Sequence, residues 1–163
     1  MRIPRHLPAL IVMVSWLMFI LAFFLPVTNV FGAGGTGPGA PLTGWQTFTS
    51  SLEILGYPPA IFLLIEQPRL LVVLLFPFIN LAMLLAPVVV LAWADSWLLS
   101  GLFLCSGLLP WALPRDATGN LFVGFYLWDM SFFMMTLGCI LASTCRKQIY
   151  EGNARPNTGA IGG

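Results

Sequence analysis

The stretch NLFVGFYLWDMSFFMMTLGCILAST, from Asn120 to Thr144, contains 25 residues and a single charge, Asp129. A helix needs about 20 apolar residues to cross the hydrocarbon core of a bilayer. Inside lipid the backbone must satisfy its own hydrogen bonds, so the stretch reads as a transmembrane helix over about 120–145. Moving outward along the chain, the charges act as punctuation. Uncharged apolar runs lie between Asp95 and Arg115, between Arg69 and Asp95, and from Leu7 to about Thr28. They predict further spans over about 96–113, 69–93 and 7–28. The run from Trp97 to Leu113 is the shortest, at about 17 residues, and still within spanning range.

Composition leads to the same reading. Of 163 residues, 58% are hydrophobic and 8% are charged, whereas a soluble domain carries roughly 25% charged residues. So few charges cannot cover so apolar a chain in water. The expected fold is therefore all-α: a polytopic membrane protein, built as a bundle of four transmembrane helices over residues 1–145. A net charge of +1 suggests neither nucleic acid nor an acidic substrate as partner.

Four spans put both termini on one side. That side carries Arg2, Arg5, Arg146, Lys147 and Arg155, against Arg69 and Arg115 on the other. The positive-inside rule then makes both termini cytoplasmic, and a bacterial inner membrane is the expected location. Trp93 and Trp97 flank Asp95 at one interface and Trp111 ends the third span at the other, where aromatic belts sit. A second reading takes the first span as a signal peptide, with Arg2 and Arg5 as its basic region and Val30-Phe31-Gly32 as its cleavage site. Against it, the apolar run exceeds the usual core of about 7–15 residues and no clear A-x-A site follows.

The outer loop, 29–68, opens with a Gly-rich linker from Gly32 to Gly39. A short interfacial helix is expected after it. Thr43 and Gln46 fit a capping box, Trp45, Phe48, Leu52 and Leu55 recur on one apolar face, and Gly56 fits a C-terminal cap. That face is expected to be buried, against the interface or the bundle. Tyr57-Pro58-Pro59 breaks the chain, and residues 60–65 are apolar but too short to span. Residues 146–163 read as a flexible cytoplasmic tail.

Asp129 is the sharpest polar signal, because a carboxylate within a span is costly and normally faces a partner or water. Asn80 and Ser106 come close to its depth, so an intramembrane polar layer of Asp129, Asn80 and Ser106 is expected. Pro77 and Pro87 free backbone carbonyls that can join it. Gly124, Ser131, Gly138 and Cys145 repeat every seven residues, with Ala142 on the same side. They form a helix-packing seam about 140–160° away from Asp129 at about 100° per residue.

No catalytic, metal or cofactor signature is present. The one histidine, His6, lies at the membrane edge, which leaves no bis-His haem and no Ser–His pair at depth. Cys105, Cys139 and Cys145 form no C-x-x-C pair and read as small packing residues. A single intramembrane acid does not make an aspartyl protease dyad.

Phe24-Leu25-Pro26, Gly44-Trp45-Gln46 and Gly124-Phe125-Tyr126-Leu127-Trp128 together resemble small bacterial four-span membrane proteins of unknown function. The resemblance implies topology and no activity. The long first loop is also similar to claudin-like proteins, but the paired loop cysteines of that family are missing. The expected function is a non-catalytic accessory or structural subunit of a larger membrane assembly, respiratory and photosynthetic ones being candidates. Its expected partners are the lipid bilayer and another membrane protein or a second copy. The alternative is a small transporter or proton conduit using Asp129.

Overall fold

The structure, a computed structural model, describes residues 3–4, 6–28, 41–56, 70–92, 97–112 and 121–154. The Gly-rich linker, the Tyr57-Pro58-Pro59 breaker, residues 60–65, Trp93 and Asp95, and everything beyond Ala154 lie outside the described residues. The elements are α1 (Leu7–Phe24), β1 (Pro26–Thr28), β2 (Leu42–Thr43), α2 (Gly44–Leu55), α3 (Leu70–Ala92), α4 (Trp97–Leu108), a 3-10 helix (Leu109–Ala112) and α5 (Val123–Ala154). Among the described residues the fold is all-α apart from one short strand pair. Among the described residues, α1 and α5 are long and apolar enough to cross a membrane, while the apolar helical segments Leu75–Val90 and Trp97–Trp111 are shorter.

Proline explains where the helices begin, end and loosen. Pro8 sits in the first turn of α1, where its missing N–H costs nothing. Pro26 ends the same helix four residues short of the expected limit at 28. It disfavours the helical conformation in the residue before it, and Leu25 is extended, with φ −94° and ψ 153°. Residues 26–28 instead pair antiparallel with Leu42–Thr43, Pro26 opposite Thr43 and Thr28 opposite Leu42. Pro110 similarly cannot donate to the carbonyl four residues back, and the expected span 96–113 narrows there from α-helix to a 3-10 turn.

α5 starts at Val123 and runs to Ala154, nine residues past the expected end at 145. The part of the tail from 146 to 154 is therefore helix rather than irregular chain. Arg146 ends the apolar run but not the helix, because the residues that follow are mostly good helix formers. Lys147 and Glu151 add an exposed i,i+4 pair at 3.9 Å.

α5 is the centre of the bundle. It packs against α1 on one side and α4 on another, while α3 lies mainly against α1 and α2. The fully buried side chains include Val12, Phe19, Met83, Val90, Phe103, Phe132, Met135 and Cys139. Phe132 makes ring contacts to Phe19, Phe103 and Trp128.

Candidate functional site

The seam meets α1 and the residues that follow it. A Cβ on Gly124 would lie 2.6 Å from the Pro26 carbonyl oxygen and 3.0 Å from Leu25 Cβ, and one on Gly138 would lie 2.8 Å from a Val12 methyl. Between them the Ser15 hydroxyl donates to the Ser131 carbonyl at 2.6 Å. Ser131, Ala142 and Cys145 are buried. Small residues here let two backbones approach and exchange polar contacts.

At one end of the seam three separate stretches of the chain converge. Gly44 donates its N–H to the Leu25 carbonyl at 3.2 Å, and Phe122 donates to Val27 at 3.0 Å. A Cβ on Gly44 would lie 2.6 Å from the Ala22 carbonyl oxygen. Phe24-Leu25-Pro26, Gly44-Trp45-Gln46 and the start of α5 thus form one knot, with glycines where backbone touches backbone.

The capping box forms as its residues dictate. The Gln46 side chain accepts from the Thr43 N–H at 2.9 Å, and the Thr43 hydroxyl accepts from the Gln46 N–H at 3.3 Å. Gly56 closes α2 by donating to the carbonyls of Leu52 and Glu53. The face that packs is not the expected one, however. Gly44, Thr47, Phe48 and Ser51 turn toward the protein, with Ser51 buried, while Trp45 is 55% and Leu52 44% exposed. Phe48 lies on the boundary, its ring 5.8 Å from that of Phe23. Trp45 reaches the same ring at 6.3 Å. With Ile20, Phe23, Phe24 and Leu84 it lines an open apolar groove of about 200 Å³. The side chain of Leu55 lies outside the described residues. Sequence periodicity groups the apolar residues of α2, but the small polar ones make its contact with α1.

Asp129, Asn80 and Ser106 are all buried, yet no hydrogen bond joins them. Each takes a different partner. The Trp111 indole N–H donates to Asp129 Oδ2 at 2.9 Å, the Trp128 indole N–H donates to Asn80 Oδ1 at 2.8 Å, and the Ser106 hydroxyl donates to its own helix at Leu102. The expected layer is therefore two separate tryptophan–acceptor pairs, built on the consecutive α5 residues Trp128 and Asp129. Phe76 stacks on Trp128 at 5.1 Å with ring planes 6° apart, which fixes the indole that serves Asn80. Trp111 rests edge-on against Phe125.

These tryptophans are the site residues that sequence reasoning missed. Trp111 reads as an interface anchor and Trp128 as part of an apolar run. The available signal was chemical: a buried indole N–H needs an acceptor, and the buried acceptors were already in view. Two further polar ties were equally hidden. Trp16 donates to the Leu84 carbonyl at 3.2 Å, in the turn loosened by Pro87. Arg146 donates to the Val90 carbonyl at 2.8 Å, capping the last turn of α3, whose carbonyls lack helical partners.

Among the described residues, α4 packs chiefly through one flank. Ser100, Phe103, Ser106 and Gly107 face the bundle, and Thr136 of α5 reaches the Ser100 carbonyl. The opposite flank exposes Trp97, Leu98 (88%), Leu102, Cys105 and Leu108. Gly101 lies among them, and among the described residues nothing comes within 4 Å of where its Cβ would stand. Among the described residues, no group of three or more His, Cys, Asp or Glu side chains is placed to hold a metal. Comparisons with protein-family models, curated proteins and solved structures give no match to this chain.

Proposed function

We propose that the chain is a four-span integral membrane protein without catalytic machinery that serves as an accessory or structural subunit of a larger membrane assembly. The four-span reading adds α3 and α4 with its 3-10 turn to α1 and α5. Its support is the 23-residue length of α3, about 35 Å at 1.5 Å per residue, and the rows of exposed apolar side chains along α1, α3 and α4. Surfaces so continuously apolar do not face water in a stable monomer. The packing of α1 into the seam supports counting it as a span rather than as a leader. The charge bias supports cytoplasmic termini, as in a bacterial inner membrane.

The subunit reading rests chiefly on Gly101. Glycine inside a helix costs about 1 kcal/mol relative to alanine, and the other three glycines of α4 and α5 whose surroundings are described each stand in close contact with a neighbour. Gly107 faces Phe132 and Phe133, Gly124 faces Leu25 and Pro26, and Gly138 faces Val12. Gly101 has no such neighbour among the described residues, and with Cys105 one turn later it makes a small-x-x-x-small pair on an open apolar flank. In lipid that pattern lets a second helix approach closely. The partner is a membrane protein that lays a helix along α4.

The test is purification of the full chain from its native membrane in a mild detergent, beside a Gly101→Leu variant. The expected result is a stoichiometric membrane partner that is lost from the variant while the variant itself remains folded. A wild-type chain that runs alone, with a particle mass unchanged by Gly101→Leu, overturns the subunit reading.

A further inference from the structure

We propose that Asp129 is a proton-exchange site, a carboxyl that takes up and releases one proton at the end of the bundle covered by Trp111. The inference does not depend on the subunit reading, because it needs no partner protein. Asp129 is 4% exposed. Its Oδ2 accepts the Trp111 N–H, while its Oδ1 is buried and meets no hydrogen-bond partner among the described residues. Among those residues no other buried side-chain oxygen is left in this state. Ser15, Asn80, Ser106, Ser131 and Thr136 all have partners.

A purely structural acid would be completed in one of its two forms. A carboxylate offers about four acceptor positions and wants several donors; this one has a single indole N–H. A carboxylic acid must place its O–H on an acceptor, and none stands at Oδ1. The described residues therefore finish neither form, which leaves a site open to a water-borne proton. Exchange there balances simply: a hydronium ion gives its proton to Oδ1 and departs as water, and the reverse step restores it.

The way in is short. Asp129 lies six residues inside α5, about 9 Å from its first residue at 1.5 Å per residue. Its cover, Trp111, is 58% exposed and belongs to a four-residue 3-10 helix, so one side chain has to move and no helix has to part. No other charge on the described elements competes. α1, α3 and the 3-10 helix carry no ionisable side chain, α4 carries only the outward-facing Cys105, and Glu53 of α2 is exposed. On α5 itself the nearest titratable neighbour is Tyr126, which is half exposed.

The test uses the full chain in detergent micelles and dicyclohexylcarbodiimide, which reacts with the protonated carboxyl. The acid O–H adds across one C=N bond, its proton passing to nitrogen and its oxygen to the central carbon. An acyl shift then leaves a stable N-acylurea that peptide mass mapping can locate. The expected result is an adduct on Asp129 whose rate of formation falls about tenfold per pH unit on the alkaline limb. Replacing Trp111 with Ala is expected to raise that rate several-fold. The proposal is overturned if Asp129 stays unmodified in the folded protein from about pH 5 to about pH 9 yet reacts after denaturation. It is also overturned if the rate ignores pH. These wild-type measurements decide the matter even if Trp111→Ala fails to fold.

Discussion

α5 and α4 carry glycines to different ends. Toward α1, Gly124 and Gly138 touch backbone or a buried methyl, and the Ser15–Ser131 bond lies between them. Beyond α4, Gly101 touches nothing described. The residue type is the same and so is its cost to the helix, but only the first pair has its reason within the chain. A small residue in an apolar helix announces close packing; what it packs against is a separate question that the neighbouring helices answer. The seam on α5 is filled internally, so α5 itself asks for no partner, and the open flank belongs to the shorter helix α4.

The sharpest way to break this contrast is to add one methyl group to each glycine of the seam. In Gly124→Ala the new carbon meets a backbone carbonyl at 2.6 Å and the Leu25 Cβ at 3.0 Å, and a backbone cannot step aside as a side chain can. The loss expected is about 3 kcal/mol or more, at the upper end for overpacking. Gly138→Ala meets a Val12 methyl at 2.8 Å and should cost less, about 1–3 kcal/mol. Unfolding of the detergent-solubilised variants measures both. A Gly124→Ala protein as stable as wild type would show that the backbone at Leu25 and Pro26 does not sit against the seam.

That seam was legible in the sequence because seven residues make almost two α-helical turns, so Gly124, Ser131 and Gly138 share a face. The capping box was legible because Thr43 and Gln46 are three residues apart and need nothing distant. The approximate positions of α1, α3, α4 and α5 followed from the charges. What stayed hidden was non-local or depended on the surrounding medium. Residues 26–28 lie in an apolar run and become a strand only because 42–43 return to meet them. Arg146 marks where the apolar run ends, which is a different boundary from the end of the helix. Trp45 and Leu52 group correctly with Phe48, but polarity alone does not say whether an apolar face meets protein or another apolar medium. The polar layer failed for a related reason. Depth along a span puts Asp129, Asn80 and Ser106 at one level, while the rotation of each helix hands each of them a different partner.

The two tryptophan–acceptor pairs give a comparison of the same kind at smaller scale. Asn80→Leu strands the N–H of Trp128, which is 6% exposed and clamped by Phe76, so the full cost of a buried unpaired donor applies, about 1–3 kcal/mol. Asp129→Leu strands the N–H of Trp111, which is more than half exposed and can turn to another acceptor. Its cost is expected near the lower end, about 1 kcal/mol. Asp129→Asn keeps an acceptor for Trp111 and is expected to be tolerated. Thermal unfolding of the three variants side by side checks the order; an Asp129→Leu loss larger than that of Asn80→Leu would mean Trp111 is less free to move than its exposure indicates.

The smallest effect belongs to the open flank. Gly101→Ala adds a methyl group where no described atom lies within 4 Å, so no clash opposes the gain in helix propensity. The isolated chain is expected to be unchanged or more stable by up to about 1 kcal/mol, the opposite sign from Gly124→Ala and Gly138→Ala. The same change in the native membrane is expected to weaken association, because an added methyl holds a partner helix farther from α4 and forfeits the contacts that close approach provides. The two measurements must therefore diverge: stability in detergent flat or rising, recovery of the partner falling. If Gly101→Ala instead destabilises the isolated chain as the seam variants do, then α4 is already covered from within the same chain, and the distinction between the two flanks is lost.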